Sequence, residues 1–162
     1  MKIHEYQAKA LLSAYGIPVP AGKVAETAVQ AGRIASELGG PVVVKAQIYA
    51  GGRGKAGGVK AAASRAEAEK IAAGLLDTRL VTHQTSSGGA PVRKVLVEKS
   101  VSSQRELYLS IIIDNVRRMP VMIGSAAGGM DIEEVTQRSP EKIQIRLSRS
   151  DRGRRRPDLQ DH

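Results

Sequence analysis

Three stretches of the chain place apolar residues at the spacing of an amphipathic helix. They cover residues 3–15, 28–38 and 65–76. In the first stretch the apolar positions are Ile3, Tyr6, Leu11, Leu12 and Tyr15. A capping-box spacing precedes each of the other two, in the pairs Thr27 with Gln30 and Ser64 with Glu67. Near residue 131, Asp131 and Glu134 have a cap spacing, and Glu133 with Glu134 predicts the charged start of a further helix.

Short apolar runs between these stretches predict β-strands. The run VVVKA at 42–46 is rich in β-branched residues and indicates a buried strand, and VKAA at 59–62 predicts a returning strand. Three more apolar segments follow a Ser- and Gly-rich loop, at 93–98, 106–113 and 119–123. Helices that alternate with strands predict an α+β or α/β layered domain.

The last fifteen residues differ in composition from the rest of the chain. Residues 148–162 (SRSDRGRRRPDLQDH) contain five Arg and three Asp but one apolar residue, Leu159. The segment has no amphipathic period, so we expect a disordered tail and a folded part over 1–147. Arg-rich, apolar-poor sequence is typical of a GC-rich gene translated out of frame, so a frameshift or a broken gene is one interpretation. A genuine alternative terminus is the other.

The composition of the 162-residue chain narrows the possible functions. It has no Cys, which excludes disulfides, thiolate metal sites and a cysteine nucleophile. A formal net charge of +9 raises the alternative of a basic nucleic-acid-binding module, but the absence of Trp and Phe argues against a base-stacking platform. The N-terminus lacks the apolar core of a signal peptide and no run is long enough for a membrane span, so we expect a cytoplasmic protein without membrane contacts.

The strongest local signal for chemistry is the glycine-dense segment at 51–58. Gly52, Gly54 and Gly57 match GxGxxG, but a strand-like run follows instead of a helix, and Ala56 stands where a Walker loop has Ser or Thr. A hairpin tip with Arg53 and Lys55 remains. Its backbone N–H groups and cations would suit a phosphate chain, while the alternative is a solvated surface hairpin.

Three further charged residues stand at strand ends. Lys45 ends the valine run, where its ammonium either holds a phosphate or reaches solvent. Glu98 ends another apolar run, and Glu106 starts the next. Acids at strand ends can accept hydrogen bonds from a ribose or an exocyclic amine. The alternative is that both simply lie at the surface. Together, on a mixed sheet, they suggest a nucleotide cleft. The three histidines, His4, His83 and His162, lack metal-ligand spacing, and no zinc site is expected.

Several longer motifs resemble the β subunits of ADP-forming succinate–CoA ligases (succinyl-CoA synthetases). They are HEYQAKALLSAYGIPVP at 4–20, VVVKAQIYAGGRGKAGGVK at 42–60 and VLVEKSVSSQRELYLSIIID at 95–114, with GGM at 128–130 followed by DIEEV. The similarity covers roughly residues 1–147. Malate–CoA ligases are similar in the same region, so a malate–CoA ligase β fragment is an alternative.

The resemblance implies an ATP-grasp fold and an enzyme of the tricarboxylic acid cycle that makes succinyl-CoA from ATP, succinate and CoA. Its phosphorylated histidine belongs to a partner α subunit. The positions that match the family's ATP-binding residues are Lys45, Gly52, Arg53, Gly54, Glu98, Val101 and Glu106. No catalytic residue is assigned to this chain.

Family members continue well beyond this length, and the part that is absent here includes the Asn and Asp that hold Mg²⁺ and a domain that docks the α subunit. We therefore expect a partial ATP-grasp domain that binds nucleotide, lacks metal ligands and is inactive alone as a ligase. We also expect apolar surface left exposed, with a cost in stability.

Overall fold

The computed structural model describes residues 2–116, 118–129 and 132–147. The folded part comprises two compact units, the first over Met1–Ser102 and the second beginning at Ser103. The predicted disordered tail at 148–162 lies outside the described residues, as does Asp131.

The first unit is a four-stranded sheet with three helices. Its elements are α1 (Glu5–Ala14), β1 (Gly22–Ala25), α2 (Ala28–Leu38), β2 (Val42–Ala46), β3 (Val59–Ala62), α3 (Arg65–Leu75), β4 (Arg79–Leu80), β5 (Ala90–Pro91) and β6 (Val95–Lys99). The sheet order is β1-β6-β2-β3, and a separate ribbon pairs β4 with β5. Every pair in the four-stranded sheet is antiparallel, so the expectation of a mixed sheet was wrong. The β2–β3 pairing confirms the predicted hairpin around the glycine segment.

The core of the first unit lies on one face of this sheet. Val42 and Val44 of β2 and Val97 of β6 point into it and are at most 1% exposed. Helices α2 and α3 cover this face with small and branched residues, which include Ala31, Ile34, Ala35, Ala68, Ala72 and Leu75. The valine run is therefore buried at alternate positions, because its other face looks away from the two helices.

The helix starts follow the predicted caps. Thr27 Oγ1 accepts from the Gln30 amide at 3.2 Å and Gln30 Oε1 accepts from the Thr27 amide at 3.2 Å, a complete capping box. At α3, Ser64 accepts from the Glu67 amide, while Glu67 Oε2 accepts from the Ala63 amide, one residue earlier than the motif specifies. Both helices begin where the sequence indicates because their first amides find local acceptors.

Helix α1 differs from the other two helices in having no buried residue. The predicted apolar positions Leu11, Leu12 and Tyr15 are all exposed. The helix is held by polar contacts, such as a hydrogen bond from the Tyr6 amide to Gln47 Oε1 at 3.3 Å and the ion pairs described below. Helical spacing of apolar residues predicted the helix correctly but not what anchors it.

In the residues that the structure describes, the second unit contains a three-stranded antiparallel sheet and one helix. Its elements are β7 (Tyr108–Asp114), β8 (Met119–Ser125), α4 (Ile132–Arg138), a 3₁₀ turn (Pro140–Lys142) and β9 (Ile143–Leu147), with strand order β7-β8-β9. Val121 and Val135 are buried. Along β7, Leu109, Ile111 and Ile113 alternate on one face and stay more than 60% exposed. The expected exposed apolar surface is therefore found in this unit.

Candidate functional site

Lys45 and Glu98 meet on the sheet face opposite the core. In the β2–β6 register Lys45 pairs with Leu96 and Glu98 pairs with Val43, so the two charged residues are diagonal neighbours on one face. Lys45 Nζ donates to Glu98 Oε1 at 2.7 Å. Glu98 is 4% exposed, and a buried carboxylate of this kind needs charged partners. Sequence analysis predicted that both residues lie at strand ends, and the β2–β6 register brings their side chains together.

Helix α1 adds two charged residues to this pair. Glu5 and Lys9 lie one turn apart, with Lys9 Nζ 3.3 Å from Glu5 Oε1. Lys9 also forms an ion pair with Glu98, and Lys45 Nζ donates to Glu5 Oε1 at 3.1 Å. Two lysines and two carboxylates therefore alternate in a closed arrangement.

Arg53 joins this group from the glycine segment. One guanidinium nitrogen donates to Glu5 Oε2 at 2.7 Å, and the other donates to the carbonyl oxygen of Ala46, also at 2.7 Å. The five residues Glu5, Lys9, Lys45, Arg53 and Glu98 are called the ionic cluster below. With three cations and two carboxylates, the ionic cluster has a formal charge of +1 and keeps an attraction for anions.

The backbone of the glycine segment is folded onto the end of the β2–β3 hairpin. Gly52 and Gly57 have φ values of 72° and 76°, which non-glycine residues rarely adopt. The Gly58 amide donates to the Arg53 carbonyl at 2.8 Å, and the Ala46 amide donates to the Gly58 carbonyl at 2.7 Å. A side chain at Gly58 would collide with Leu80, whereas Gly54 has open space around it. The segment is therefore packed at its base and open at its tip.

The charges of the ionic cluster change the titration of its members. Burial alone would raise the pKa of the Glu5 carboxyl, but hydrogen bonds and positive charge from Arg53 and Lys45 outweigh it and lower that pKa from 4.5 to about 2. Burial and the neighbouring Lys45 charge lower the pKa of Lys9. Glu5 is accordingly an anion at every pH near neutrality.

Two cavities flank the ionic cluster. The larger, about 590 Å³, lies between α1, β1 and β6 and is lined by Lys9 and Glu98 as well as by apolar groups of Val19, Pro20, Val24 and Leu96. The smaller, about 360 Å³, is lined by Glu5, by Arg53 and by residues 48–51. A ligand with an apolar ring system and an anionic chain could place the ring in the first cavity and the chain against the cations.

Val101 and Glu106, the remaining two predicted site residues, are not members of the ionic cluster. Val101 follows β6 and is 64% exposed. Glu106 belongs to the second unit, where its carbonyl accepts from the Gly128 amide at 3.2 Å and its carboxylate stands 3.5 Å from Ser103 Oγ. A Cβ at either Gly128 or Gly129 would overlap Glu106, which explains two consecutive glycines there. The roles assigned to Val101 and Glu106 stay predictions.

Sequence analysis did not single out Glu5 and Lys9. Their spacing of four residues was the available signal, but such pairs are common on exposed helices and do not by themselves mark a site.

The described residues offer no prepared metal site. Among them, no three His, Cys, Asp or Glu side chains are grouped so that they could hold an ion. The two carboxylates of the ionic cluster are already paired with cations. These residues therefore do not fit a bound Mg²⁺ ion. In the same part of the chain, no helix combines the length and apolar character that a membrane crossing requires.

Comparison with known proteins defines the class of protein to which this geometry belongs. The model of the ATP-grasp domain matches residues 2–153. The chain therefore belongs to the ATP-grasp family, and the predicted fold is confirmed. Dinucleotide-forming acetyl-coenzyme A synthetase 1 of Ca. Korarchaeum cryptofilum has a similar fold, with a TM-score of 0.67 at 22% identity over 91% of this chain and 60% of that one. A Pyrococcus horikoshii Ot3 protein also reaches 0.67, at 26% identity over 90% of this chain and 58% of its own.

Within this family, the chain is similar to the β subunits of ADP-forming succinate–CoA ligases. It is 56% identical to that of Solibacter usitatus over 143 residues and 55% identical to that of Geobacter sulfurreducens over 145 residues. These alignments cover 88% and 90% of this chain but 37% and 38% of the relatives. The resemblance stated from the motifs is confirmed, and the chain spans a little over a third of the length of these relatives.

Proposed function

We propose that the first unit binds ATP, with the adenosine in the larger cavity and the phosphates against Lys45, Arg53 and the glycine segment. The observation that carries this proposal is the ionic cluster, which groups three cations and contributes Lys9 and Glu98 to the lining of that cavity. Cations held in a partly buried site attract phosphate oxygens more strongly than cations in water. Glycine amides at the open tip of the segment would add donors to the phosphate chain.

The ligase relatives set the reaction in which this nucleotide site would work. We propose that the chain represents the N-terminal ATP-binding part of a succinate–CoA ligase β subunit. With the rest of such a subunit and a partner α subunit, it would couple ATP hydrolysis to ADP and phosphate with formation of succinyl-CoA from succinate and CoA. Dependence on Mg²⁺, a preference for succinate over malate and a cytoplasmic location stay predictions.

Calorimetry with ATP tests the nucleotide site. Lys45→Met should weaken ATP binding about tenfold or more, because it removes a cation that would contact phosphate. Lys70→Met, on the exposed side of α3, is the matched control and should bind as the unchanged chain does. Equal affinities for the unchanged chain and the Lys45 variant would remove Lys45 from the site and overturn the proposal.

An activity assay tests the assignment to the ligase reaction. The purified chain alone should release no ADP in the presence of ATP, succinate and CoA. A chimera that joins residues 1–147 to the remaining part of the Geobacter sulfurreducens β subunit, purified with that organism's α subunit, should release ADP when succinate is supplied. Release with malate but not succinate would favour the malate–CoA ligase alternative, and an inactive but folded chimera would contradict the proposed reaction.

A further inference from the structure

Glu5 contacts all three cations of the ionic cluster. Its Oε1 atom is 3.1 Å from Lys45 Nζ and 3.3 Å from Lys9 Nζ, and its Oε2 atom accepts from Arg53 at 2.7 Å. Glu98, in comparison, pairs with the two lysines. Glu5 is thus the side chain that joins the strand lysine to the arginine of the glycine segment.

The contacts of Lys45 fix the direction of its ammonium group. A lysine ammonium has three N–H donors. Two of them point at carboxylates, Glu98 Oε1 at 2.7 Å and Glu5 Oε1 at 3.1 Å. Two fixed acceptors on different elements stop rotation about the terminal C–N bond. The direction of the third N–H is then set by the protein before a ligand arrives, and a donor prepared in this way loses less entropy on binding.

Arg53 is held in a comparable way. Its guanidinium bridges the Ala46 carbonyl at the end of β2 and the Glu5 carboxylate on α1. These two bonds tie the glycine segment down at Arg53 and leave its backbone between Gly54 and Gly57 to form the tip. Without the carboxylate, the arginine would lose the hydrogen bond that joins the glycine segment to α1.

Lys9 and the first turn of α1 stabilise the negative charges of the ionic cluster. Lys9 pairs with both carboxylates, so they do not cancel the charges of Lys45 and Arg53. Glu5 occupies the first turn of α1, where the helix dipole favours an anion. The low pKa of Glu5, about 2, agrees with a carboxylate that stays ionised in this setting.

We propose that Glu5 is a positioning residue that directs Lys45 and Arg53 toward a polyphosphate chain. This inference rests on the proposed nucleotide site. Glu5 itself, as an anion, would not contact the phosphates. Its effect would pass through the two cations, so it should influence ligands that carry a phosphate chain and leave the nucleoside part unaffected.

Binding measurements on Glu5→Gln test this inference with the full chain. ATP and tripolyphosphate should each bind about tenfold more weakly, while adenosine should bind as before, because only the phosphate contacts depend on the aligned cations. Glu37→Gln is the matched control, since Glu37 also accepts from two cations, Lys23 and Arg33, but on the exposed surface of α2. It should leave all three affinities within about twofold of the unchanged chain.

A double-mutant cycle shows whether Glu5 acts through Lys45. In a Lys45→Met background, Glu5→Gln should weaken ATP binding by about threefold or less, because the main partner is already absent. Circular dichroism verifies folding. If Glu5→Gln does not fold, Glu5→Asp takes its place; its shorter carboxylate cannot reach both cations and should give an intermediate loss for ATP with none for adenosine.

The outcomes separate this inference from the proposed function. ATP binding that is lost in Lys45→Met but unchanged in a folded Glu5 variant would overturn the positioning role and leave the nucleotide site intact. Equal losses for adenosine and ATP would also overturn it, because a general structural defect affects both. A chain that binds no ATP, or binds it equally well after Lys45→Met, would overturn the proposed function and this inference with it.

Discussion

Replacing Glu5 by glutamine should remove a pH-dependent part of the stability of the chain. Burial, which by itself raises the pKa of Glu5, is outweighed by Arg53 and Lys45, and the pKa falls from 4.5 to about 2. A carboxyl with a lower pKa in the folded state stabilises the fold at pH values above its unfolded pKa. That stabilisation is lost as the pH falls through the folded pKa. The window for this group therefore runs from pH 4.5 down to about 2.

The size of this contribution to the free energy of folding follows from the same change in the pKa of Glu5. It corresponds to about 3 kcal/mol of folding free energy at neutral pH, at about 1.4 kcal/mol for each tenfold change in proton affinity. Because a fifth of the Glu5 side chain remains accessible to solvent, screening reduces this contribution to about 2 kcal/mol. Wild-type chain and Glu5→Gln should differ by that amount in free energy of unfolding at pH 7.

Urea titrations followed by circular dichroism at 222 nm measure this difference. The difference should be the same at pH 7 and pH 6. It should shrink steadily at pH 4 and pH 3, because Glu5 of the wild-type chain becomes protonated and its ion pairs are lost. Glu37→Gln should show a much smaller loss, because hydrogen bonds from Lys23 and Arg33 lower the pKa of Glu37 too, but at an exposed position where solvent screens the ion pairs. A difference between wild type and Glu5→Gln that is the same at pH 7 and pH 3 would refute the assignment of this stability to the Glu5 charge.

Two further predictions concern packing, and the urea midpoint checks both. Gly58→Ala should destabilise the chain by about 1–3 kcal/mol, because the new Cβ would collide with Leu80 and lie 3.3 Å from the Arg53 carbonyl, whereas Gly54→Ala should stay within about 0.5 kcal/mol. Equal midpoints for these two variants would contradict the packing described for the glycine segment. Val97→Ala should cost about 2–3 kcal/mol through lost burial and a new cavity, while Val29→Ala, at a 67% exposed position, should cost almost nothing.

The sequence predicted those elements whose signals are local. Helix α2 has its boundaries where the capping box and the following glycines indicate, and the β2–β3 hairpin follows from a β-branched run, a glycine segment and the strand-like run VKAA after it. Strands β1 (GKVA) and β9 (IQIRL) were not predicted. Each is short and forms at a sheet edge by pairing with β6 or β8, so its existence depends on partners far away in the chain.

Only part of the candidate site could be predicted, because only some of its residues have a local signal in the sequence. Lys45, Arg53 and Glu98 stand next to strands or glycines, where a charge is unusual enough to be noticed. Glu5 and Lys9 are ordinary residues of an amphipathic helix, and their importance comes from contacts with residues about 40 to 90 positions away. No local pattern encodes such contacts. The antiparallel direction of β6 relative to β1 and β2 was also beyond local signals, because it depends on how the longer connections return to the sheet.

The way α1 is attached has a consequence for motion. This helix forms one wall of the larger cavity, yet it has no buried residue and is joined to the sheet chiefly by ion pairs and a hydrogen bond. Elements with little buried apolar area open locally at a lower free energy than the core. The charged side chains that hold α1 are 5–21% exposed, so salt screens their ion pairs only in part, whereas it does not weaken the apolar packing of α2 and α3. A higher ionic strength should therefore increase the fraction of molecules in which α1 is separated from the sheet, while the valine core keeps the rest of the first unit folded.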